Sequence, residues 1–141
     1  MPHARWITAW FLLPAVVTLI ACDQAPVVDQ TPEERVAERA EARWNAMIEG
    51  DWQEAYALLT PGYRESTPFN RWRGRIGTAA TWKSVTVQDI VCAEDDLCQV
   101  TVLLDYEVSF PRFGVENRPG RRPLAETWLL VDGEWWHYPQ R

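Results

Sequence analysis

The stretch WNAMIEGDWQEAYALLTP, residues 44–61, decides the fold. It holds the end of one helix, a Gly-Asp step and a second helix. Upstream, the first helix opens at Thr31-Pro32-Glu33-Glu34: an N-cap hydroxyl, a proline where no N–H is needed, and a Glu placed to close a capping box. Val36, Ala40, Trp44, Met47 and Ile48 then recur with a 3.6-residue period, so one face is apolar. Arg35, Glu38, Arg39 and Glu41 take the other faces. Gly50 ends the helix, because glycine accepts the left-handed conformation of a C-terminal cap. Asp51 caps a second helix that carries Trp52, Ala55, Tyr56, Leu58 and Leu59 and stops at Thr60-Pro61-Gly62. A third, short helix is expected after Ser66-Thr67-Pro68, carrying Phe69, Trp72 and Ile76.

Downstream of Gly77 the period changes to two. Residues 81–91 and 98–110 are rich in Val, Thr and aromatics, as strands are. Val100, Val102, Leu104, Tyr106, Val108 and Phe110 share a face. Val85 and Val87 take one phase and Ile90 the other, which predicts a β-bulge near Gln88-Asp89. Residues 111–122, dense in Pro, Gly and Arg, read as a loop. Residues 124–131 and 134–138 form a last hairpin around Asp132-Gly133. The order predicts an α+β fold, with N-terminal helices packed on a curved antiparallel sheet of about four strands. A chain of 141 residues, 47% hydrophobic with nine Trp, supports one compact domain rather than disorder. Its net charge of −6 argues against a general nucleic-acid binder.

Residues 44–61 resemble the opening helix pair of the nuclear transport factor 2-like superfamily, where an aromatic and aliphatic helix, a Gly-Asp step and an Ala-rich second helix are common. Glu134-Trp135-Trp136 after Asp132-Gly133 is similar to that superfamily's last strands. The resemblance spans most of residues 31–138 and implies a sheet wrapped around helices, a cone that often holds a pocket. It implies little about activity, since that fold hosts enzymes, binders and accessory domains.

The chain's start reads as an address. Met1 to Arg5 carry a positive charge, and Trp6 to Ala21 carry none. Such a run is shorter than the ~20 apolar residues of a spanning helix, and describes a secretory signal peptide. Leu19-Ile20-Ala21-Cys22 resembles the bacterial lipobox, which implies cleavage before Cys22, a diacylglyceryl thioether on its sulfur and an acylated amine. Several acyl chains, palmitate among them, would anchor the protein stably in a membrane. The expected organisation is a signal peptide over 1–21, a lipidated cysteine and tether over 22–30, and the α+β domain over 31–141. The tether reaches at most about 29 Å. The expected location is the bacterial cell envelope, facing periplasm or exterior, and Asp23 resembles an inner-membrane retention signal of enteric-type sorting. With Cys22 acylated, Cys92 and Cys98 remain, flanking a polar turn in an oxidising compartment, and predict a disulfide. A metal or redox pair lacks both Cys-x-x-Cys spacing and a nearby His.

His3 falls in the signal peptide, so His137 is the remaining imidazole. One His cannot build a multi-His zinc site, and no spacing points to a Ser-His-Asp triad. Sharing a face with Trp135, His137 reads as a packed or rim residue. Isomerases and dehydratases of the related fold use a pocket Asp or His with a Tyr or second acid. Asp89 and Asp105 are therefore the catalytic candidates, with Tyr56 and Tyr106 as possible partners. A cavity would raise such a carboxyl's pKa and suit it as a base. Asp105, however, shares with Glu107 the face opposite Tyr106, which reads as solvated. Trp44, Tyr56, Trp72, Tyr106 and Trp128 are candidate pocket residues.

Arg71, Arg73 and Arg75 interleave with Trp72, and Arg112, Arg118, Arg121 and Arg122 crowd the 111–122 segment. These seven of the chain's 14 basic residues are either a patch for anionic headgroups or an acidic partner, or solvated loops paired locally with Glu65 and Glu116. No Gly-rich phosphate loop occurs, and no cofactor or metal is expected. The favoured function is a membrane-anchored, non-enzymatic module that binds an apolar small molecule or an envelope protein. Its rivals are an isomerase or dehydratase using a pocket Asp, and an assembly accessory docked through the arginines.

Overall fold

The computed structural model describes residues 30–140. The expected signal peptide, Cys22 and the tether as far as Asp29 lie outside the described residues. Helix α1 (Pro32–Glu49) begins with the capping box: the Glu34 N–H donates to the Thr31 hydroxyl, and the Thr31 N–H donates to the Glu34 carboxylate. It ends at Gly50, whose φ of 82° needs a residue without a Cβ. Helix α2 (Trp52–Ala57) is capped by Asp51. Helix α2 ends ahead of Thr60-Pro61-Gly62, leaving Leu58 and Leu59 beyond it, and Pro61 opens an unexpected helix α3 (Pro61–Ser66), because proline suits a first helical turn as well as it ends one. The Tyr56 hydroxyl lies 3.1 and 2.9 Å from the carbonyl oxygens of Arg64 and Thr67 and so ties α2 to the end of α3. Helix α4 (Phe69–Arg73) follows Pro68, as expected, but ends at Gly74, so Ile76 packs against the core from beyond it.

Strands β1 (Ala80–Glu94), β2 (Leu97–Phe110), β3 (Val115–Val131) and β4 (Glu134–Tyr138) form one antiparallel meander in sequence order. The predicted bulge exists: the β1–β2 register shifts between Val87 and Asp89, with further shifts between Trp82 and Ser84 and between Cys92 and Glu94. Three irregularities on an edge strand blunt it as a template for stray pairing. Cys92 and Cys98 face each other across β1 and β2 and form the expected disulfide.

Residues 111–122 are not a loop. Only residues 111–114 make a turn, and β3 begins at Val115, so Pro119, Gly120, Arg121 and Arg122 stand opposite Glu107, Tyr106, Asp105 and Leu104. The composition misleads for a physical reason. β4 pairs only with residues 127–131, which leaves the first half of β3 an edge, where a proline without an N–H is tolerated. Gly120 has its own reason. A Cβ there would stand 2.5 Å from the Tyr106 ring, which lies across it.

The helices cover the inner face of the sheet. Val36, Ala40, Trp44 and Met47 of α1 join Val100, Val102, Leu104, Trp128 and Trp135 in the core. The outer edge of β4 is closed by backbone bonds: the His137 N–H donates to Leu58 at 2.9 Å and the Thr60 N–H donates to His137 at 3.0 Å. Trp136, the neighbour of buried Trp135, lies under the guanidiniums of Arg39 and Arg64, at 4.8 and 5.2 Å. At one end of the molecule the start of α1 meets the β3–β4 turn through Arg35 and Gly133, and the β1–β2 turn joins them through Asp96 and Leu130. The opposite end, where β1 starts and β2 runs into β3, is the mouth of the cone.

Candidate functional site

Two places can carry function: the polar centre of the core, and the mouth. In the core, Glu126 alternates with Leu124 and Trp128 on the inner face of β3 and is 5% exposed. Its carboxylate accepts from Arg43 Nη1 at 2.8 Å, Trp44 Nε1 at 2.8 Å and Trp128 Nε1 at 3.2 Å. His137 Nε2 is 3.8 Å from the same carboxylate. Burial, and then the charge of Arg43, push the His137 pKa well below its ordinary value, so the ring is neutral at neutral pH. Burial likewise lowers the Arg43 pKa, opposed by Glu126. Arg43 Nε and His137 Nδ1 are buried with no hydrogen-bond partner among the described residues. The cluster joins α1, β3 and β4 where a deep cavity of the cone would lie. The hollows at the mouth, on the outer sheet face, beside α3 and at the β2–β3 turn are all walled by other residues. Its chemistry is therefore that of a polar clamp. The sequence did carry its signal: an acid in phase with Leu124 and Trp128, and an arginine on the stripe of Ala40, Trp44 and Met47.

The mouth is different. A hollow of about 270 Å³ is walled by Ala80, Trp82, Leu104, Tyr106, Val108 and Arg122. Trp82 and Ala80 also wall an adjoining hollow of about 210 Å³, which reaches Glu49, Trp52 and Arg73. The aromatic wall is built edge to face, with Trp82 at 5.5 Å from Trp44 and 6.2 Å from Trp52, between ring centroids. The Arg73 guanidinium sits 4.0 Å over the Trp52 ring. Arg122 reaches the hollow because it stands opposite Leu104, whereas Arg121, one residue away, must face outward. A larger groove of about 710 Å³ lies outside the cone, between α3 and the chain's last residues. Its wall includes Tyr63, Ser66, Thr67, Arg75, Tyr138 and Pro139.

No family profile and no curated protein matches the chain. Solved structures do. A SEC-C motif-containing protein from Rhodopseudomonas palustris aligns with a TM-score of 0.57 at 10% identity, over 72% of this chain and 73% of that one. An NTF-2-like protein of unknown function from Shewanella oneidensis aligns at 0.51 and 9% identity, over 76% and 94%. A ketosteroid isomerase-like protein from Erwinia carotovora atroseptica aligns at 0.52 and 13% identity, over 76% and 92%. The fold is NTF2-like. At such identities the likeness concerns architecture alone.

Within the NTF2-like cone the sequence-derived candidates are dispersed. Of the five expected pocket residues, Trp44, Trp72 and Trp128 are core, and Tyr56 stacks with Phe69 and Trp72 while its hydroxyl holds α3. Tyr106 lines the hollow at the mouth. The two candidate acids face away from the interior. Asp89 is exposed, opposite Thr101. Asp105 takes a two-point ion pair from Arg121 and a hydrogen bond from Ser84 at 2.9 Å. Those hydrogen bonds, Arg121 first, hold its carboxyl below the usual carboxylate range, the reverse of what a pocket base requires. The arginines divide as well. Arg73 and Arg122 flank Trp82 at the mouth, Arg121 pairs outside, Arg71 is exposed on α4, and Arg75 lies 3.5 Å from the Tyr63 hydroxyl beside the outer groove. The described residues contain no His, Cys, Asp and Glu group able to hold a metal ion, and no helix long and apolar enough to cross a membrane.

Proposed function

We propose that this protein is a membrane-anchored envelope lipoprotein whose NTF2-like domain binds an apolar small molecule at the mouth of its cone. The observation that carries the binding reading is the wall of the 270 Å³ hollow, where Trp82, Leu104, Tyr106 and Val108 present apolar surface on the concave face. The only charged group in that wall is a guanidinium, and it contains no carboxylate, thiol or imidazole. Such a wall, with the Tyr106 phenol and the Arg122 guanidinium as its polar groups, supplies burial and orientation. The anchor reading rests on the signal-like start and on Leu19-Ile20-Ala21-Cys22.

Each half has its own test. Cys22→Ser should move the protein from the membrane fraction and end palmitate labelling, whereas unchanged acylation would refute the anchor. For the domain, an NMR titration with 2-naphthalenemethanol should shift amides of residues 80–82, 104–108 and 120–122. Val108→Trp, which fills the hollow without emptying the core, should abolish those shifts. Shifts centred on the outer groove of Tyr63 and Tyr138 would refute the mouth as the site.

A further inference from the structure

The geometry points to an organic anion as the ligand of the mouth: an apolar body against Trp82 and Tyr106, with its acid group on the Arg122 guanidinium. The assignment rests on the binding reading above and adds the ligand's charge. Arg39, Arg43, Lys83 and Arg121 each meet a carboxylate. Arg122 meets none among the described residues, and the strand register turns it toward the concave face opposite Leu104. There its neighbours are Ala80, Trp82, Leu104, Tyr106 and Val108. Arg122 is exposed at the rim of this apolar wall, where a ligand can reach it, and its planar fork matches a carboxylate at two points. The outer sheet face shows what this chain does with an arginine when an acid is within reach, since Arg121 there takes both oxygens of Asp105.

The floor is shaped for a flat body. Because Gly120 has no side chain, the Tyr106 ring can lie across β3 and leave the space before Trp82 open. The volume sets the size: 270 Å³ falls just below the roughly 300–1,000 Å³ of drug-sized pockets, which suits a monoacid with one or two rings or a short chain. The acid group belongs at Arg122 rather than at Arg73. Arg73 is already stacked on Trp52, and its hollow also contains Glu49, which repels an anion.

The test is equilibrium dialysis of the full-length protein in neutral-lipid nanodiscs, with empty discs as reference. The probes are 2-naphthoate and 2-naphthalenemethanol, which share a ring system and differ in charge. The acid should bind about tenfold or more tightly than the alcohol, the scale of a charge-assisted hydrogen-bonded contact. Arg122→Gln should bring that ratio to within about twofold of unity, while Arg73→Gln should preserve it. Equal binding of both probes by the unaltered protein would overturn the anion assignment and leave the binding reading standing. A preference that survives Arg122→Gln and disappears in Arg73→Gln would overturn the choice of residue. Failure of both probes to bind at about 1 mM would overturn the assignment and the binding reading together.

Discussion

Glu126→Gln is the most informative single change, because it removes one charge from the core and almost no volume. Glu126 faces Arg43 at 2.8 Å, and both side chains are under 10% exposed. The amide oxygen can still accept one indole N–H, but its NH2 confronts a second donor, and the buried guanidinium loses its counter-charge. Breaking a buried pair from one side costs about 3–5 kcal/mol. A domain of about 110 residues has an unfolding entropy near 0.23 kcal/mol/K, so the melting temperature should fall by roughly 13–22 °C. Thermal and urea unfolding followed by tryptophan fluorescence and near-UV circular dichroism would report it, since Trp44 and Trp128 bind Glu126 directly. The double variant Arg43→Met with Glu126→Gln separates charge from packing. Replacing both partners of a buried pair is often close to neutral, so the double should be more stable than the Glu126→Gln single and within about 2 kcal/mol of the parent. A loss below about 1 kcal/mol for the single, or strict additivity in the double, would refute the clamp.

Other consequences follow from the same core. The folded-state pKa of His137 is lowered, so the unfolded chain takes up a proton that the folded chain refuses. Stability should therefore be complete above the unfolded value near 6.5 and fall as pH drops below it, by up to about 1.4 kcal/mol per unit. Urea midpoints between about pH 5.5 and 7.5 should show that slope, and His137→Asn should flatten it. Reducing Cys92–Cys98 opens a ring with a sequence separation of 6 and should cost about 2 kcal/mol, read as a lower melting temperature under reducing agent. Gly120→Ala would drive a methyl into the Tyr106 ring. It should cost about 1–3 kcal/mol and also weaken naphthyl probe binding, because the displaced ring is a wall of the hollow.

Much of this fold is legible in the sequence wherever local chemistry and tertiary packing agree. Thr31-Pro32-Glu33-Glu34 and Gly50 mark both ends of α1, and Asp132-Gly133 marks the last hairpin, because each is a demand made by the backbone itself. The phase change between Val87 and Ile90 reveals a bulge for the same reason. Residues 115–122 are not legible, since Pro119 and Gly120 are loop formers by propensity. What keeps them in a strand is an unpaired edge and an aromatic ring from β2. Pro61 is ambiguous in a different way, as proline both ends helices and begins them.

The candidate site was legible in part. Tyr106 and Arg122 each stand out in the sequence, but as members of two different groups. Only the antiparallel register puts Tyr106 beside Gly120 and Arg122 beside Leu104, so that both face one hollow. The same register sends Arg121 to Asp105 and so explains both the division of the arginines and the outward carboxylate. Glu126 and Arg43 lie 83 residues apart, and neither has a local reason to be buried. Each breaks an apolar pattern alone, and the break becomes meaningful when the other side chain meets it.

The mouth is tested most directly by native mass spectrometry of the intact protein, purified gently and never denatured. The expected spectrum shows a small organic adduct that disappears on denaturation and is missing from Val108→Trp. A bare protein mass, or an adduct that Val108→Trp retains unchanged, would contradict a ligand site walled by Trp82, Leu104, Tyr106 and Val108.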